Sequence, residues 1–282
     1  MPPLASMSTP LPIHDAEPEF DVAAGLATPP PTADVLGVPI ALTDYERTMD
    51  WIDATIATGG RGYVCVAAVH TVMAFQEDPE LREAVLASDL TVPDGTPIVW
   101  AMNALGHPLS QRVYGPELMA RHCERSVRTG TRIFLYGGAN QGALVQLALN
   151  LRRRYPGIRI VGGYSPPYRP LTEEEETAVA SEINGSGADV VWVGIGVPKQ
   201  EKWMAAMRDR LDAPVLVGVG AAFDFHAGRV AQAPDWIQSI GMEWAFRLSR
   251  EPRRLWKRYA MYNPKFVFGF LAQYLRERLH RA

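Results

Sequence analysis

Apolar positions in this chain follow two rhythms that take turns. Six short runs are apolar at nearly every position: "GYVCVAAV" (62–69), "LTVP" (90–93), "RIFLYGG" (132–138), "IRIVGGY" (158–164), "DVVWVGIG" (189–196) and "PVLVGVGAAF" (214–223). Between them the apolar residues recur at helical spacing. Thr43 to Glu46 forms a capping box for a helix that ends at Gly59-Gly60. Helices are predicted over His70–Phe75, Pro79–Ala87, Thr96–Leu105, Glu117–Arg128 (closed by Gly130), 141–155, 172–183 (a second capping box, Thr172 to Glu175) and 199–211. Val/Ile-rich strands without alternation, separated by helices, predict a parallel sheet covered on both faces. The expected fold class is therefore α/β: a Rossmann-like, mostly parallel sheet with helices on both sides.

Both ends depart from this rhythm. Residues 1–35, with "PLASMSTPLPIHDAEPEF" and "ATPPPTADV", are rich in Pro, Ala, Ser and Thr and are expected to form a disordered leader. Residues 36–233 are expected to form the α/β body. From Pro234 to Ala282 only helical segments follow, heavy in Trp, Phe, Tyr and Arg, which reads as an appendage on that body.

Charge sharpens the contrast. The 282 residues carry a net charge of −3, which argues against a chain that coats nucleic acid. Yet Trp244–Ala282 holds ten Lys/Arg against two Glu, a local +8. A basic helix with Trp and Phe on one side suits an anionic membrane surface; the plainer reading packs the aromatics on the sheet and leaves the arginines in water. There is no apolar run of 18 residues and no secretory signal pattern, so a cytoplasmic protein that does not span the membrane is expected. The two cysteines, Cys65 and Cys123, fit neither a zinc site nor a disulfide framework and suit a reducing compartment. The six His form no HExxH arrangement, and no metal site is expected.

Ligands of open α/β sheets bind at the carboxyl ends of the strands. The residues there are Pro93-Asp94-Gly95, Gly137-Gly138, Gly162-Gly163-Tyr164, Pro198-Lys199-Gln200-Glu201 and Ala221-Ala222-Phe223-Asp224. The paired glycines would let backbone N–H groups approach a phosphate. Neither GxGxxG nor GxxxxGK[ST] is present, which disfavours a dinucleotide enzyme and a P-loop NTPase. Asp94 reads either as the N-cap of the helix at Thr96 or as a catalytic carboxylate. Asp224, between two Phe, reads either as a partner for loop backbone or as one for a ligand N–H. Glu201 suits the first turn of a helix, His226 reads as structural, and Trp192 and Trp203 as core.

Five stretches carry a resemblance: "VPDGTPIVW" (92–100), "RVYGPELM" (112–119), "YSPPYRPLTEEE" (164–175), "GVPKQEKWM" (196–204) and "GVGAAFDFHAGRVAQAPDWIQSIGMEWAFRLSREPRRLWKRY" (218–259). Over roughly residues 40–265 the chain resembles the WecG/TagA/CpsF glycosyltransferases, glycosyltransferase family 26, in their exopolysaccharide-type branch. The resemblance implies an inverting, metal-independent enzyme without cofactor that uses a UDP-sugar as co-substrate. N-acetylmannosamine, glucose and hexuronate are the implied donor classes. The implied acceptor is a polyprenyl-diphosphate-linked saccharide, met at the inner face of the cell membrane, and a homo-oligomer is compatible. By resemblance Asp94 is the general base. Arg112, Gly163, Tyr164, Gln200 and Asp224 hold the UDP-sugar, and Thr96, Arg247, Arg254 and Arg258 serve the acceptor or the diphosphate, with the tail closing over the site. One strand end departs from the family pattern: Val66-Ala67-Ala68 stands where many relatives carry Thr or Ser and Asn. A nucleotide-sugar hydrolase, and a non-catalytic membrane-peripheral subunit of a polysaccharide complex, are the rival readings.

Overall fold

The computed structural model describes residues 28–234, 237 and 242–281; the expected leader up to residue 27 lies outside the described residues. Six parallel strands form the central sheet, in the order β4-β3-β8-β7-β5-β6. They are β3 (Gly62–Ala67), β4 (Leu90–Pro93), β5 (Arg132–Gly137), β6 (Arg159–Tyr164), β7 (Val190–Gly194) and β8 (Val215–Gly218). All six were predicted, to within a few residues at each end.

Side-chain alternation along these strands sorts the core into two halves. Tyr63, Cys65, Phe134, Tyr136, Val191, Val193 and Leu216 point to one face. There they meet α2 (Val69–Glu77), α3 (Pro79–Leu86), α4 (Thr96–Ala104), α7 (Glu173–Ser186) and α8 (Lys199–Met207). Val64, Val66, Leu90, Ile133, Trp192 and Val217 point to the other, covered by α1 (Tyr45–Ala57), α5 (Gly115–Thr129), α6 (Gln141–Arg154) and α9 (Ala222–His226). The result is the expected three-layer α/β sandwich.

Two local readings are corrected. α1 is capped by Asp44, which accepts a hydrogen bond from the Arg47 N–H at 2.9 Å, not by Thr43, whose hydroxyl is buried against Thr48 at 3.0 Å. The body also begins earlier than residue 36, with an antiparallel hairpin of β1 (Thr32–Val35) and β2 (Val38–Ala41). Its turn residues, Leu36 and Gly37, have φ of 53° and 83°. A two-residue turn with both φ positive favours Asn-Gly, so Leu-Gly gives little local signal. A tertiary contact holds it instead. The Leu36 N–H donates to Gln273 Oε1 at 2.9 Å, and the Leu36 side chain packs on Gly269.

Both of those residues belong to the tail. It comprises α10 (Glu243–Arg250) and the long α11 (Pro252–Arg281). One side of α11, with Tyr262, Phe266, Phe270 and Tyr274, packs into the same core half as α2 and the hairpin, and Lys265 pairs with Glu77. The other side leaves Met261, Val267, Phe268, Leu271, Leu275 and Leu279 exposed. At 100° per residue these six occupy one stripe along the helix. Among the described residues no helix is long and apolar enough to cross a membrane.

Candidate active site

β4 ends at Pro93, and Asp94 is the first residue beyond it. The Asp94 N–H donates to the Ala67 carbonyl at the end of neighbouring β3, at 2.8 Å. Gly95, at φ 94° and ψ 137°, then turns the chain into α4 as its N-cap, with no side chain capping the helix. An L-residue rarely takes that backbone conformation, which gives the glycine its purpose. The N-cap reading of Asp94 is thereby corrected: its carboxylate does not cap α4, though the Gly95 backbone N–H bears on it. Burial pushes its pKa up to about 6; Arg112 pulls it down, and Glu243 pushes it up again.

The charge of Arg112 bears on this carboxylate, and the Val113 N–H bonds the Pro93 carbonyl at 2.7 Å, stitching the loop before α5 to the end of β4. The guanidinium lies 4.5 Å from the centre of the Tyr114 ring and forms a nearly buried ion pair with Glu243. Glu243 opens α10 and is 8% exposed, and its second oxygen, Oε1, is buried with no hydrogen-bond partner. Arg247 follows one turn later. Its guanidinium stands 5.7 Å from the Phe225 ring, its Nε is buried without a hydrogen-bond partner, and its charge bears on Asp94 and Tyr114. The Tyr114 N–H donates to the Tyr45 hydroxyl at 3.1 Å, closing the cluster from α1, and burial pushes the Tyr45 phenol up to about 12. Two carboxylates, two guanidiniums and two phenols from four parts of the chain thus converge on one strand end. Thr96, part-exposed at the first position of α4, stands beside them.

The other expected residues are arranged differently. Asp224 lies on the far flank of α9, where it pairs with Arg229 at 3.4 Å. It lines an open cleft of about 510 Å³ with Ala139, Arg229, Val230 and Glu251. The acid expected in an apolar setting is thus an ion-paired wall of a polar cleft, and Asp94 is not among the residues lining that cleft. Gly163 and Tyr164 sit on β6, five strands from β4, or about 24 Å at the usual strand spacing. Tyr164 stacks on Tyr136, centroids 6.0 Å apart, and Tyr136 on Trp203 at 3.8 Å. The paired glycines are packed closely within the sheet. The Gly138 N–H is used by the Gly194 carbonyl, and a Cβ on Gly162 would stand 2.5 Å from the Phe134 ring. Close packing within the sheet accounts for both. The side chains of Arg254 and Arg258 lie outside the described residues.

Gln200 and Glu201 are both buried. Gln200 Oε1 accepts from the Gly196 N–H at 3.2 Å, and its Nε2 donates to Glu201 Oε1 at 2.9 Å. Gln200 therefore braces the turn after β7 rather than facing the open cleft. Glu201 is not the exposed first-turn carboxylate expected. It is fully buried among Cys65 and Tyr63, its Oε2 has no hydrogen-bond partner, and burial pushes its pKa up to about 7. A carboxyl raised from 4.5 in this way stabilises the fold below pH 4.5, and that contribution is lost as pH rises through 7. Glu201→Gln is expected to match the wild type at pH 4 and to exceed it by about 3 kcal/mol at pH 8. Urea denaturation at the two pH values measures the difference; parallel curves would refute it.

His226 is structural, as read: its Nε2 lies 2.8 Å from the Pro116 carbonyl. Cys65 and Cys123 are free and buried, and burial pushes the Cys123 thiol up to about 12. Among the described residues no group of three or more His, Cys, Asp or Glu could hold a metal ion. Sequence reasoning missed Glu243, Tyr45 and Tyr114. Only Glu243 had a local signal, as an acid one helical turn before Arg247 within the longest motif.

Comparison with known proteins gives the family. The family model described as "Glycosyl transferase WecG/TagA/CpsF family" matches residues 33–280. An N-acetylglucosaminyldiphosphoundecaprenol N-acetyl-beta-D-mannosaminyltransferase of Bacillus spizizenii (strain W23) is 34% identical over 190 residues, covering 67% of this chain and 71% of that one. A protein of the same name from Bacillus subtilis (strain 168) is 28% identical over 244 residues, covering 86% and 92%. The match runs from the first hairpin through the tail, across every element that brings a residue to Asp94, and the chain belongs to the WecG/TagA/CpsF family of glycosyl transferases.

Proposed function

We propose that this protein is an inverting glycosyltransferase. It moves a hexose-type sugar of the N-acetylmannosamine, glucose or hexuronate class from a UDP-sugar to a polyprenyl-diphosphate-linked saccharide, in bacterial exopolysaccharide or cell-surface polysaccharide synthesis. The observation that carries this reading is Asp94: an uncapped carboxylate at a strand's carboxyl end, with a pKa of about 6 and two arginines at hand. The names of the two Bacillus relatives support the acceptor class. In this mechanism Asp94 takes the proton of the acceptor hydroxyl as its oxygen attacks the anomeric carbon. The bond from that carbon to the diphosphate breaks on the opposite face, which inverts the centre. UDP departs with the electron pair, and Arg112 and Arg247 stabilise its growing charge without a metal. The test is UDP release from a panel of UDP-sugars, with and without a lipid-diphosphate acceptor. Acceptor-dependent release supports transfer. Release at an equal rate without acceptor means hydrolysis, and UDP binding without release means a binding subunit.

The tail supplies the membrane half of the reading, at the inner face where the donor nucleotide is present. Its exposed apolar stripe carries Phe268 and Leu275 toward solvent, beside the basic residues of α11. Burial of such a side chain is worth about 1.5–3 kcal/mol. Phe268→Ser with Leu275→Ser is expected to cut sedimentation with anionic phospholipid vesicles at least about tenfold while leaving the unfolding temperature unchanged. Undiminished sedimentation would remove the stripe from the docking surface.

A further inference from the structure

The pairing of Arg112 with Glu243 conflicts with a role for Arg112 in holding a diphosphate. One arm of the guanidinium fork suited to phosphate oxygens, Nη1, is already engaged by Oε2 of a carboxylate of this same chain. As it stands the cluster balances: Asp94 and Glu243 against Arg112 and Arg247. A diphosphate added to it would place at least two more negative charges beside two carboxylates, in a part-buried cluster. Glu243 is also poorly served where it is. Among the described residues its buried Oε1 has no hydrogen-bond partner, and one turn away the buried Arg247 Nε has none either. An unpaired acceptor and an unpaired donor in one buried cluster describe an arrangement short of its full complement of partners. A phosphate group, with several acceptor oxygens, would satisfy Arg112 and Arg247 together. Among the described residues the carboxylate of Glu243 pairs with Arg112 and not with Arg247.

We propose that Glu243 is an internal stand-in for the ligand's phosphate: it holds Arg112 in place in the free protein and yields it to the diphosphate on binding, turning out toward solvent. Glu243 is thus a positioning residue, and it competes with the ligand for one guanidinium. Its place at the first position of α10 suits this, since a helix end moves with less disruption than a helix interior. The inference rests on the reading of Arg112 as a diphosphate ligand, and the experiment separates the two.

Binding of UDP and of inorganic pyrophosphate is measured by calorimetry for the wild type and for Glu243→Gln, which keeps the shape and removes the charge. The expected result is affinity for both at least about tenfold tighter in the variant. Carbodiimide labelling of carboxylates, read by mass spectrometry on the wild-type protein, gives an independent answer should the variant fold poorly. Glu243 is 8% exposed and is expected to label slowly in the free protein and several-fold faster with saturating pyrophosphate. Unchanged or weaker affinity in a folded variant, or labelling that does not rise, overturns the proposal and leaves Glu243 a fixed support of Arg112. Tightening for pyrophosphate but not for UDP keeps the stand-in and defeats the UDP-sugar reading. If neither protein binds either anion, both fall.

Discussion

Asp94→Asn is expected to abolish acceptor-dependent UDP release while making the protein more stable. General-base catalysis contributes roughly 10²–10⁴ in rate, and Asn cannot accept the proton. The stability gain has a separate cause. Burial raises the Asp94 pKa from 3.8 to about 6, so ionising it in the folded protein costs free energy that the unfolded chain does not bear. The sign follows: the carboxyl stabilises the fold below pH 3.8, and that contribution is lost as pH rises through 6. At pH 7.5 the neutral amide is therefore expected to gain about 2–3 kcal/mol, read as a higher denaturation midpoint. Catalysis has the opposite pH dependence, since the base must be ionised; the wild-type rate is expected to fall below about pH 6. The charges that set this limb are Arg112, Glu243 and Arg247, with the Tyr45 and Tyr114 phenols neutral in this range. A variant that is inactive and less stable, or active and unchanged, would contradict the assignment.

Arg112→Ala is expected to lose in both respects. The fork is asked to hold phosphate, and hydrogen bonds to charged groups are worth about 1.5–3 kcal/mol, so UDP affinity is expected to fall about 10- to 100-fold. Folding suffers as well, because Glu243 is left a buried carboxylate without its cation. Breaking one side of such a pair costs about 3–5 kcal/mol. Adding Glu243→Gln to Arg112→Ala is expected to recover much of the stability and none of the UDP affinity. That double variant separates the two roles of the arginine. Recovery of both, or of neither, would mean that the ion pair and the ligand site are not the same feature.

The resemblance in the sequence named Asp94 and Arg112, and the structure places both at the carboxyl end of β4. Five of the six strands were legible because they are buried on both faces, so apolarity at nearly every position marks them without reference to their neighbours; β6, at the edge of the sheet, is only part-buried. The helices were legible through caps: the Thr172–Glu175 box and the left-handed Gly130 stand where they were read. The β1–β2 hairpin was not legible. Its Leu36-Gly37 turn is held by Gln273 and Gly269, more than 230 residues away. Glu201 was misread for a similar reason. Its position in the first turn of α8 is a local fact, but which side of that helix meets the sheet is a tertiary one. Gly162 and Gly163 looked like a phosphate-binding pair because glycine is permissive everywhere, and only the Phe134 ring shows what Gly162 makes room for.

The same division runs through the site. By itself the sequence determined the order of the strands along the chain, the motif holding each candidate, and the basic, aromatic character of the tail, since these depend on residue type and local spacing. The tertiary structure decided which candidates share one environment. It gathered the charges of Arg112, Glu243 and Arg247 around Asp94, put Asp224 in a cleft with Arg229 and Glu251, and left Tyr164 on the far edge of the sheet. Strand order within the sheet makes that choice, and nothing local encodes it. The charge state of Asp94 was also a tertiary outcome. An acid after a strand is an ordinary cap until the turn at Gly95 frees its carboxylate and the surrounding protein takes away its water.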